Sequence, residues 1–420
     1  MTAWFRRAFQ DADRGMGIGA AAPPTGSVSP DAPPVHAALV LFALAMGGFA
    51  IGTTEFAAMS LVPYFAPSLG IDEPTAGHVI SVYALGVVVG APVIAVLAAK
   101  FERRALLIGL MLVFAVANAL SALAPDYRTM LAFRFLSGLP HGAYFGVASL
   151  MAASLVPVNR RAQAVARMML GLTVATIVGV PLANGVGQVM GWRWGFAVVA
   201  VLALLTAWLL YAFAPLSRPQ PGASPLRELG ALWRLQVWLT LGIGAIGFGG
   251  LFAVYTYLAS TLMEVTHAAP STVPVVLSVF GVGMTAGTLV CARFADRAVM
   301  PTIGGTLLWS AGALALYPFA LGHVGTAMVA VFLVGCGGGL GTVLQTRLMD
   351  VAEDAQTLAA ALNHSAFNAA NALGPWLGGL AIAAGYGWTS TGWVGVALAL
   401  GGFVIWLASL AGMHVRQRHA

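Results

Sequence analysis

The sequence predicts an all-α membrane protein with twelve transmembrane helices in two pseudo-symmetric six-helix halves. Three observations carry this prediction. Of 420 residues, 59% are hydrophobic and only 8% are charged, whereas soluble domains average about 25% charged residues. Long apolar stretches separated by short polar joints cover nearly the whole chain. Stretches from the first and second halves also share residues at a constant spacing.

Twelve apolar stretches can be marked, and most are close to the roughly 20 residues that a helix needs to cross a bilayer. They span approximately 38–63, 77–98, 104–124, 129–155, 163–187, 194–214, 235–260, 273–293, 301–320, 324–346, 357–384 and 389–413. They leave no room for a separate soluble domain. Any chemistry must therefore take place within the helical bundle or its loops.

The second and eighth stretches resemble each other in a single register, which indicates an internal duplication. The matching pairs are Ser81 and Ser278, Tyr83 and Phe280, Gly86 and Gly283, Gly90 and Gly287, and Lys100 and Arg297. A weaker match relates Gly191-Trp192 to Gly387-Trp388. Chance similarity among glycine-rich helices is the alternative. Two parallel six-helix repeats with a substrate site between them are one known plan for secondary transporters.

The chain divides into five predicted segments. They are a flexible cytoplasmic tail (1–36), an N-terminal six-helix half (37–214), a proline-rich cytoplasmic linker (215–234), a C-terminal six-helix half (235–413) and a short cytoplasmic tail (414–420). The first segment is rich in Ala, Pro, Gly and Ser. It lacks the apolar core of about 7 to 15 residues that a cleaved signal needs.

The basic residues are sorted strongly by predicted membrane side. Of the 20 Lys and Arg residues, 17 fall on one side, two fall on the other and Arg134 lies inside a stretch. The positive-inside rule then places both termini in the cytoplasm, which requires an even number of spans. The net charge of +6 is thereby explained without nucleic acid as a partner. The excess of Arg over a single Lys suggests a GC-rich bacterial genome, and so a bacterial cytoplasmic membrane.

Glu55 is one of very few charged residues inside a predicted span, within the run Ala37 to Pro63. A charged side chain at the bilayer centre costs roughly 2.5 to 3.5 kcal/mol on insertion-based scales. Such a group usually lines a cavity, pairs with another group or carries a proton. Glu55 is therefore a candidate for proton or substrate handling. The alternative is a carboxyl neutralised against a neighbouring helix for packing alone.

The eleventh stretch carries a polar stripe. His364, Asn368 and Asn371 follow the i, i+4, i+7 spacing that places side chains on one helix face, and Asn363 flanks them. His141 is a further polar residue in the fourth stretch. These five residues are predicted to contact substrate. The alternative for each is a structural hydrogen bond between helices.

Four motifs together resemble the major facilitator superfamily, and more narrowly its twelve-span drug:proton antiporter group in the sugar-efflux or arabinose-efflux-like branch. The resemblance covers residues 36 to 413. The motifs are Gly52-Thr-Thr-Glu55-Phe56, the run from Arg134 to Gly146, Gly179-Val-Pro181 with Gly191-Trp-Arg193, and the run from Ala361 to Gly374. The resemblance implies a twelve-helix transporter and is poorly specific for substrate.

A loop motif of the family is partly kept in both halves, and the resemblance implies a gating role for it. The corresponding residues are Lys100, Arg103 and Arg104 in the first half and Arg293, Asp296 and Arg297 in the second. In the first half Ala99 replaces the usual Asp, whereas Asp296 retains it. The second half is therefore expected to carry more of the gating. The alternative is that these basic residues simply anchor the cytoplasmic side.

Three further residues gain a role from the resemblance. Arg134 corresponds to the fourth-span arginine linked to proton coupling, and its permanent charge can make a nearby acid harder to protonate. It stands near the start of its span, so snorkelling or structural hydrogen bonding is the alternative. Gly179 and Pro181 stand where the antiporter motif is expected. Physically they predict a kinked, closely packed helix.

The sequence thus predicts a proton-coupled exporter of small organic molecules of drug, sugar or nucleoside class, working by alternating access as a monomer in the lipid bilayer. An importer of a small metabolite and a non-transporting sensor remain alternatives. No His-Glu-x-x-His or Gly-x-Ser-x-Gly motif indicates an enzyme. Cys291 and Cys336 lack metal-ligand spacing, so neither a metal site nor a cofactor is predicted.

Overall fold

The computed structural model describes residues 37–98, 101–157, 160–216, 233–352 and 356–419, and these contain helices and loops but no strand. The first six long helices are α1 (Ala37–Ser60), α2 (Glu73–Ala98), α3 (Arg103–Leu123), α4 (Tyr127–Ser154), α5 (Arg161–Val174 continued by Val180–Met190) and α6 (Trp192–Phe213). A short helix, Val62–Ser68, follows α1.

The second six long helices begin after the linker, most of which lies outside the described residues. They are α7 (Leu235–Gly247 continued by Gly249–Thr256 and Leu258–Glu264), α8 (Val273–Ala295), α9 (Val299–Ala320), α10 (Val324–Cys336 continued by Leu340–Ala352), α11 (Gln356–Ala381) and α12 (Ser390–His419). The predicted N-terminal tail lies outside the described residues. The predicted C-terminal tail continues α12 as helix up to His419.

Ten segments of the described chain are long and apolar enough to cross a membrane. The two remaining long helices are α4 and α11, which carry polar residues such as Arg134 and Asn368 and pack in the same bundle. The described structure is therefore an all-α membrane protein consistent with the predicted twelve spans.

Helix packing repeats between the halves. In the first half α2 packs on α4, α3 on α6, and α1 on α5 and α6. In the second half the corresponding pairs pack in the same way, α8 on α10, α9 on α12, and α7 on α11 and α12. Between the halves, α2 packs on α11 and α5 packs on α8. The interface is itself symmetric, because α5 and α11 occupy corresponding positions.

Matched glycines explain how the α2–α4 and α8–α10 pairs approach so closely. A Cβ atom on Gly86 or Gly90 would collide with backbone carbonyls of α4. A Cβ atom on Gly283 or Gly287 would collide in the same way with backbone carbonyls of α10. Small residues allow such backbone contact in lipid, where helix association has little hydrophobic drive. The sequence match between these stretches therefore reflects one packing requirement met twice.

Two turns also repeat. Gly191 precedes α6 with φ 98°, and Gly387 lies before α12 with φ 77°. Glycine populates positive φ without the steric cost that a Cβ atom brings.

At the start of α4, Asp126 accepts a hydrogen bond from the backbone N–H of Thr129. This bond closes a capping box and lowers the pKa of the Asp126 carboxyl.

The bundle has two distinguishable ends. We call the end that carries Arg104 and Arg234 the basic end, where Arg104 Nη2 donates to the Tyr211 carbonyl at 2.7 Å. Arg234 Nη1 donates to the Val351 carbonyl at 3.3 Å there. We call the opposite end the far end. There Trp192 Nε1 donates to Ser68 Oγ at 2.9 Å.

Candidate functional site

Glu55 lies on α1 at the interface between the halves, with only 2% of its surface exposed. Its Oε1 accepts a hydrogen bond at 3.0 Å from Nδ2 of Asn371, which belongs to α11. Burying a carboxyl group is costly unless it is paired, hydrogen-bonded or neutralised. The amide of Asn371 therefore gives Glu55 a partner that only the opposite half can supply.

His141 on α4 lies on the other side of the same carboxyl. Its Nε2 is 4.0 Å from Glu55 Oε2, and its Nδ1 is 2.9 Å from the Tyr83 hydroxyl. When Tyr83 donates to Nδ1, the neutral ring carries its hydrogen on Nε2, facing Glu55. His141 is thus placed to exchange or share a proton with the carboxyl, and Tyr83 sets which nitrogen carries the hydrogen.

The polar stripe of α11 approaches this group from the second half. The His364 ring stacks on Phe145, with centroids 5.2 Å apart and planes 6° apart. Its centroid lies 6.4 Å from that of His141. Asn368 Nδ2 donates to the backbone carbonyl of His364 at 3.0 Å. The structure thus brings His141 and Asn371 into contact with Glu55, with His364 beside His141 and Asn368 on the same helix as Asn371.

Two buried amide oxygens in this stripe remain free to accept a hydrogen bond. Oδ1 of Asn368 and Oδ1 of Asn371 find no hydrogen-bond partner in the part of the chain that the structure describes. Buried polar atoms in proteins are nearly always satisfied, so such atoms call for a ligand or water. Asn363 stands apart, because it is partly exposed and no described contact joins it to the others.

Arg134 on α4 is fully buried one layer away from Glu55. Its Nη1 donates to Thr54 Oγ1 at 3.3 Å and to Ser137 Oγ at 3.4 Å. Its guanidinium lies 4.2 Å from the centroid of the Tyr83 ring. Nε and Nη2 find no partner among the described residues. Arg134 therefore reaches the carboxyl only indirectly, through Tyr83 and through the neighbour Thr54.

Sequence reasoning missed three supporting residues. Tyr83 joins Arg134 to His141, as described above. Thr54 Oγ1 donates to Asn118 Oδ1 at 2.7 Å, which leaves the Thr54 oxygen free to accept from Arg134. Asn118 is fully buried in α3. The signal was available, because an amide inside an apolar span is as unusual as the polar residues of α11.

Gly179 and Pro181 lie in α5 where it packs against both α1 and α8. A five-residue π-turn, Ala175–Gly179, precedes Pro181, which cannot donate a hydrogen bond to the Ile177 carbonyl. Ser278 Oγ of α8 donates to that carbonyl at 3.0 Å. The kink thus presents a backbone acceptor to the second half. Gly179 packs against Thr53 and Phe49 of α1, where no side chain would fit.

Hydrogen bonds join the two halves towards the far end. Ser81 Oγ donates to the Ala372 carbonyl at 2.8 Å, which mirrors the bond from Ser278. Gln188 Nε2 donates to the Pro270 carbonyl at 2.9 Å. Ser260 Oγ donates to the carboxyl of Glu73. The far end of the bundle is closed by these contacts.

The residues of the gating motif lie at the basic end. Arg104 is bonded to Tyr211 as described, and Arg103 begins α3. Arg293, Asp296 and Arg297 are exposed around the end of α8. In the described ranges neither Arg293 nor Arg297 lies within 4.0 Å of a carboxylate oxygen. Lys100 falls outside the described residues, so the first-half motif is only partly visible.

A hydrophobic helical bundle with a buried polar cluster between two similar halves defines a multi-pass membrane transporter rather than an enzyme. The family model of the Major Facilitator Superfamily matches residues 44–297 and 241–418. The chain belongs to the major facilitator superfamily, as the sequence resemblance predicted.

Named relatives include a membrane transport protein, a drug-resistance protein and a probable efflux transporter. The chain is 42% identical to the inner membrane transport protein YdhP of Escherichia coli K12, covering 83% of this chain and 90% of the relative. It is 36% identical to a chloramphenicol resistance protein of Streptomyces lividans, with coverage of 80% and 87%. It is 30% identical to a probable sugar efflux transporter of Haemophilus influenzae (strain PittGG), with coverage of 90% and 94%. The predicted branch of the family is thereby confirmed.

A solved structure has the same fold. It is described as a bacterial homolog to the human lysosomal transporter Spinster in an inward-facing and occupied conformation. The two chains align with a TM-score of 0.70 over 89% of this chain and 97% of that chain. Their sequence identity is 17%, so the likeness concerns the fold alone.

Proposed function

We propose that the protein is a proton-coupled secondary transporter that exports small organic molecules by alternating access. The observation that carries this proposal is the hydrogen bond between Glu55 and Asn371, because it joins an ionisable group of one half to the other half. Gain or loss of a proton on Glu55 changes the strength of that contact, since a charged acceptor bonds more strongly than a neutral one. Protonation can therefore bias the relative position of the halves.

His141 and Arg134 place a second titratable group and a permanent positive charge near the carboxyl of Glu55. His141 offers Glu55 a second partner and a route for its proton through Nε2. The permanent charge of Arg134 acts on the same cluster through Tyr83. This arrangement supports Glu55 as the coupling acid, His141 as its proton partner and Arg134 as a fixed charge that opposes extra protons.

The stripe on α11 supports a substrate site next to the coupling acid. The unpartnered Oδ1 atoms of Asn368 and Asn371 are acceptors for a hydroxyl or amide donor. The stacked rings of His364 and Phe145 offer a flat aromatic surface. We infer that the substrate combines hydrogen-bond donors with an apolar or ring-shaped face, which suits a drug, sugar or nucleoside. Asn363 flanks this stripe on α11 and has no described contact with Glu55, so the role proposed for it concerns the substrate and not the coupling acid.

One proton supplies enough energy for useful export. A charge crossing a potential of roughly 150 mV gains about 3.5 kcal/mol. A tenfold concentration gradient of a neutral substrate requires about 1.4 kcal/mol. One proton could therefore sustain a gradient of several hundred-fold for a neutral substrate.

The same proposal includes the orientation of the bundle in the membrane and the direction of transport. The basic end carries most of the positive charge, so the positive-inside rule assigns it to the cytoplasm and the closed far end to the outside. A bacterial cytoplasmic membrane agrees with the printed name of YdhP, an inner membrane transport protein. The efflux and resistance names of two other relatives support export rather than import. The protein acts as a monomer.

The experiment is a substrate screen in everted membrane vesicles with an acidic lumen. An exported substrate added outside enters the lumen in exchange for protons, so it collapses the preset pH gradient. Vesicles carrying Glu55→Gln serve as the control and should show no collapse. A compound that binds without collapse or flux would indicate a sensor. Release of a preloaded compound from the lumen together with protons would indicate an importer.

A further inference from the structure

A groove of about 600 Å³ opens on the outer surface of the bundle between α8, α9 and α10. We call it the α8–α10 groove. Its walls include Val290, Phe294, Trp309 and Leu333. Among the described residues, Arg297 is the only charged one that lines it. Val290, Phe294 and Trp309 are all at least 49% exposed, so the groove faces the bilayer rather than the interior of the bundle.

Small residues and one anchored ring shape this groove. Gly287 holds α8 against the backbone of α10 at its floor. Gly305 of α9 has open space where a side chain would stand. Trp309 Nε1 donates to the Leu333 carbonyl at 3.0 Å, which fixes the indole as a wall between α9 and α10. The shape of the groove is therefore fixed by helix packing and by the hydrogen-bonded indole of Trp309.

The groove offers little to a polar ligand except at its mouth. The hydroxyls of Thr302 and Thr306, which also line it, donate to carbonyls within α9 and its N-terminal turn at 2.7 Å each. Arg297 stands at the basic end of the groove, with Arg293 one turn earlier on α8. In the described chain neither guanidinium has a carboxylate within 4.0 Å. A ligand that fits must therefore be apolar along most of its length and anionic at one end.

A second groove repeats this design elsewhere on the surface. A cavity of about 530 Å³ is lined by residues of α1, α5 and α6, and Arg167 is the one charged residue in the described part of its lining. Arg167 lies towards the basic end of α5. In both grooves an apolar wall thus leads to a single arginine near the same end of the bundle. A single arginine at the end of an apolar groove is complementary in charge to the headgroup of an anionic lipid.

We propose that the α8–α10 groove binds an anionic phospholipid, with an acyl chain along the apolar wall and the phosphate held by Arg297. A guanidinium suits this role because its planar donors match phosphate oxygens in pairs. Arg293 adds positive charge beside the headgroup. The site adjoins the loop from Asp296 to Ala298, so a bound lipid would contact the segment that joins α8 to α9.

The test uses the two cysteines of the chain, since both Cys291 and Cys336 line this groove. In a Cys291→Ser background, labelling of the half-buried Cys336 by a small lipid-soluble maleimide reports whether the groove is occupied. We expect phosphatidylglycerol nanodiscs to slow labelling roughly fivefold relative to phosphatidylcholine with the same acyl chains. Both lipids carry a phosphate, but the choline cation offsets its charge in phosphatidylcholine, whereas phosphatidylglycerol keeps a net negative charge for Arg297. Inorganic phosphate added to phosphatidylcholine nanodiscs should not reproduce this protection.

Three variants test whether Arg297 and the open space of the groove cause the difference between the two lipids. Arg297→Gln should abolish the difference between the two lipids, whereas Arg167→Gln, the same change in the other groove, should leave it intact. Gly305→Leu fills the open space and should also remove the lipid difference without changing charge. Far-ultraviolet circular dichroism checks that each variant keeps its helices. Equal protection by both lipids, or protection by phosphatidylglycerol that survives Arg297→Gln, would overturn the proposal.

Discussion

Glu55 and Asn371, which are 316 residues apart in the chain, meet at 3.0 Å across the interface of the two halves. The amide donor of α11 reaches the carboxyl of α1 only while the halves are close at this level. A protonation event on Glu55 and a movement of α11 are therefore linked through one contact.

Asn371→Leu removes the donor and leaves the buried carboxyl without it. Losing a hydrogen bond to a charged group costs about 1.5 to 3 kcal/mol, so coupled transport should fall roughly tenfold or more. Asn363→Leu on the same helix lies outside the cluster and should have a smaller effect. In a Glu55→Gln background Asn371→Leu should slow substrate exchange little further. Equal losses from Asn371→Leu and Asn363→Leu in proteoliposome transport would argue against the contact.

Tyr83→Phe tests the link between Arg134 and His141. The variant keeps the ring beneath the guanidinium but removes the hydroxyl that bonds to His141 Nδ1. We expect proton-driven accumulation to drop several-fold while helix packing is retained. Tyr144→Phe is the matched control, because its buried hydroxyl donates to the Leu44 carbonyl away from the cluster. It should lower thermal stability by about 1 kcal/mol and spare coupling. Identical transport by the two variants would remove Tyr83 from the mechanism.

Asp296→Asn tests the asymmetry of the gating motif. Because Ala99 has replaced the usual carboxyl of the first half, Asp296→Asn should impair transport much more than Ala99→Asp alters it. Initial transport rates in vesicles with matched protein levels give the comparison. Small and equal effects from both changes would contradict a dominant role for the second-half motif.

Ser260→Ala tests closure of the far end. The change removes the hydroxyl that donates to Glu73 and leaves that carboxyl between the halves beside Glu264. Glu73 is partly buried, and losing a hydrogen bond of this kind costs about 1 kcal/mol, so the far end should open more often. Thr261→Ala is the control, since its hydroxyl bonds within α7 to the Tyr257 carbonyl. Faster deuterium uptake over residues 73–78 is expected only for Ser260→Ala, and unchanged uptake would contradict the closure.

The fold was predictable because its determinants are local or repeated. Apolar stretches long enough to cross a bilayer locate the helices, and the match of Gly86 and Gly90 with Gly283 and Gly287 marks the same helix pair in each half. A kink near Pro181 was predicted, but the form of that break and the break in α10 were not. The π-turn before Pro181 and the 3-10 turn at Gly337–Gly339 depend on contacts with other helices as well as on local residues.

The candidate site was predictable only as a set of unusual residues. Glu55, His141, His364, Asn368 and Asn371 stand out because polar groups in apolar spans are costly. Their partners could not be derived, because nothing in the periodicity of α1 indicates that it meets α11. Tyr83 shows the limit most clearly. A tyrosine in an apolar span is unremarkable until its neighbours Arg134 and His141 are known.

Glu55→Gln provides the most direct test of the central claim, because glutamine mimics the protonated carboxyl. Purified protein in proteoliposomes should still exchange substrate across the membrane with this variant. Accumulation driven by a pH gradient should be abolished, and Glu55→Asp, which keeps the charge on a shorter arm, should retain part of it. If Glu55→Gln concentrates substrate against a gradient at the wild-type rate, Glu55 is a packing residue and the proposed coupling is wrong.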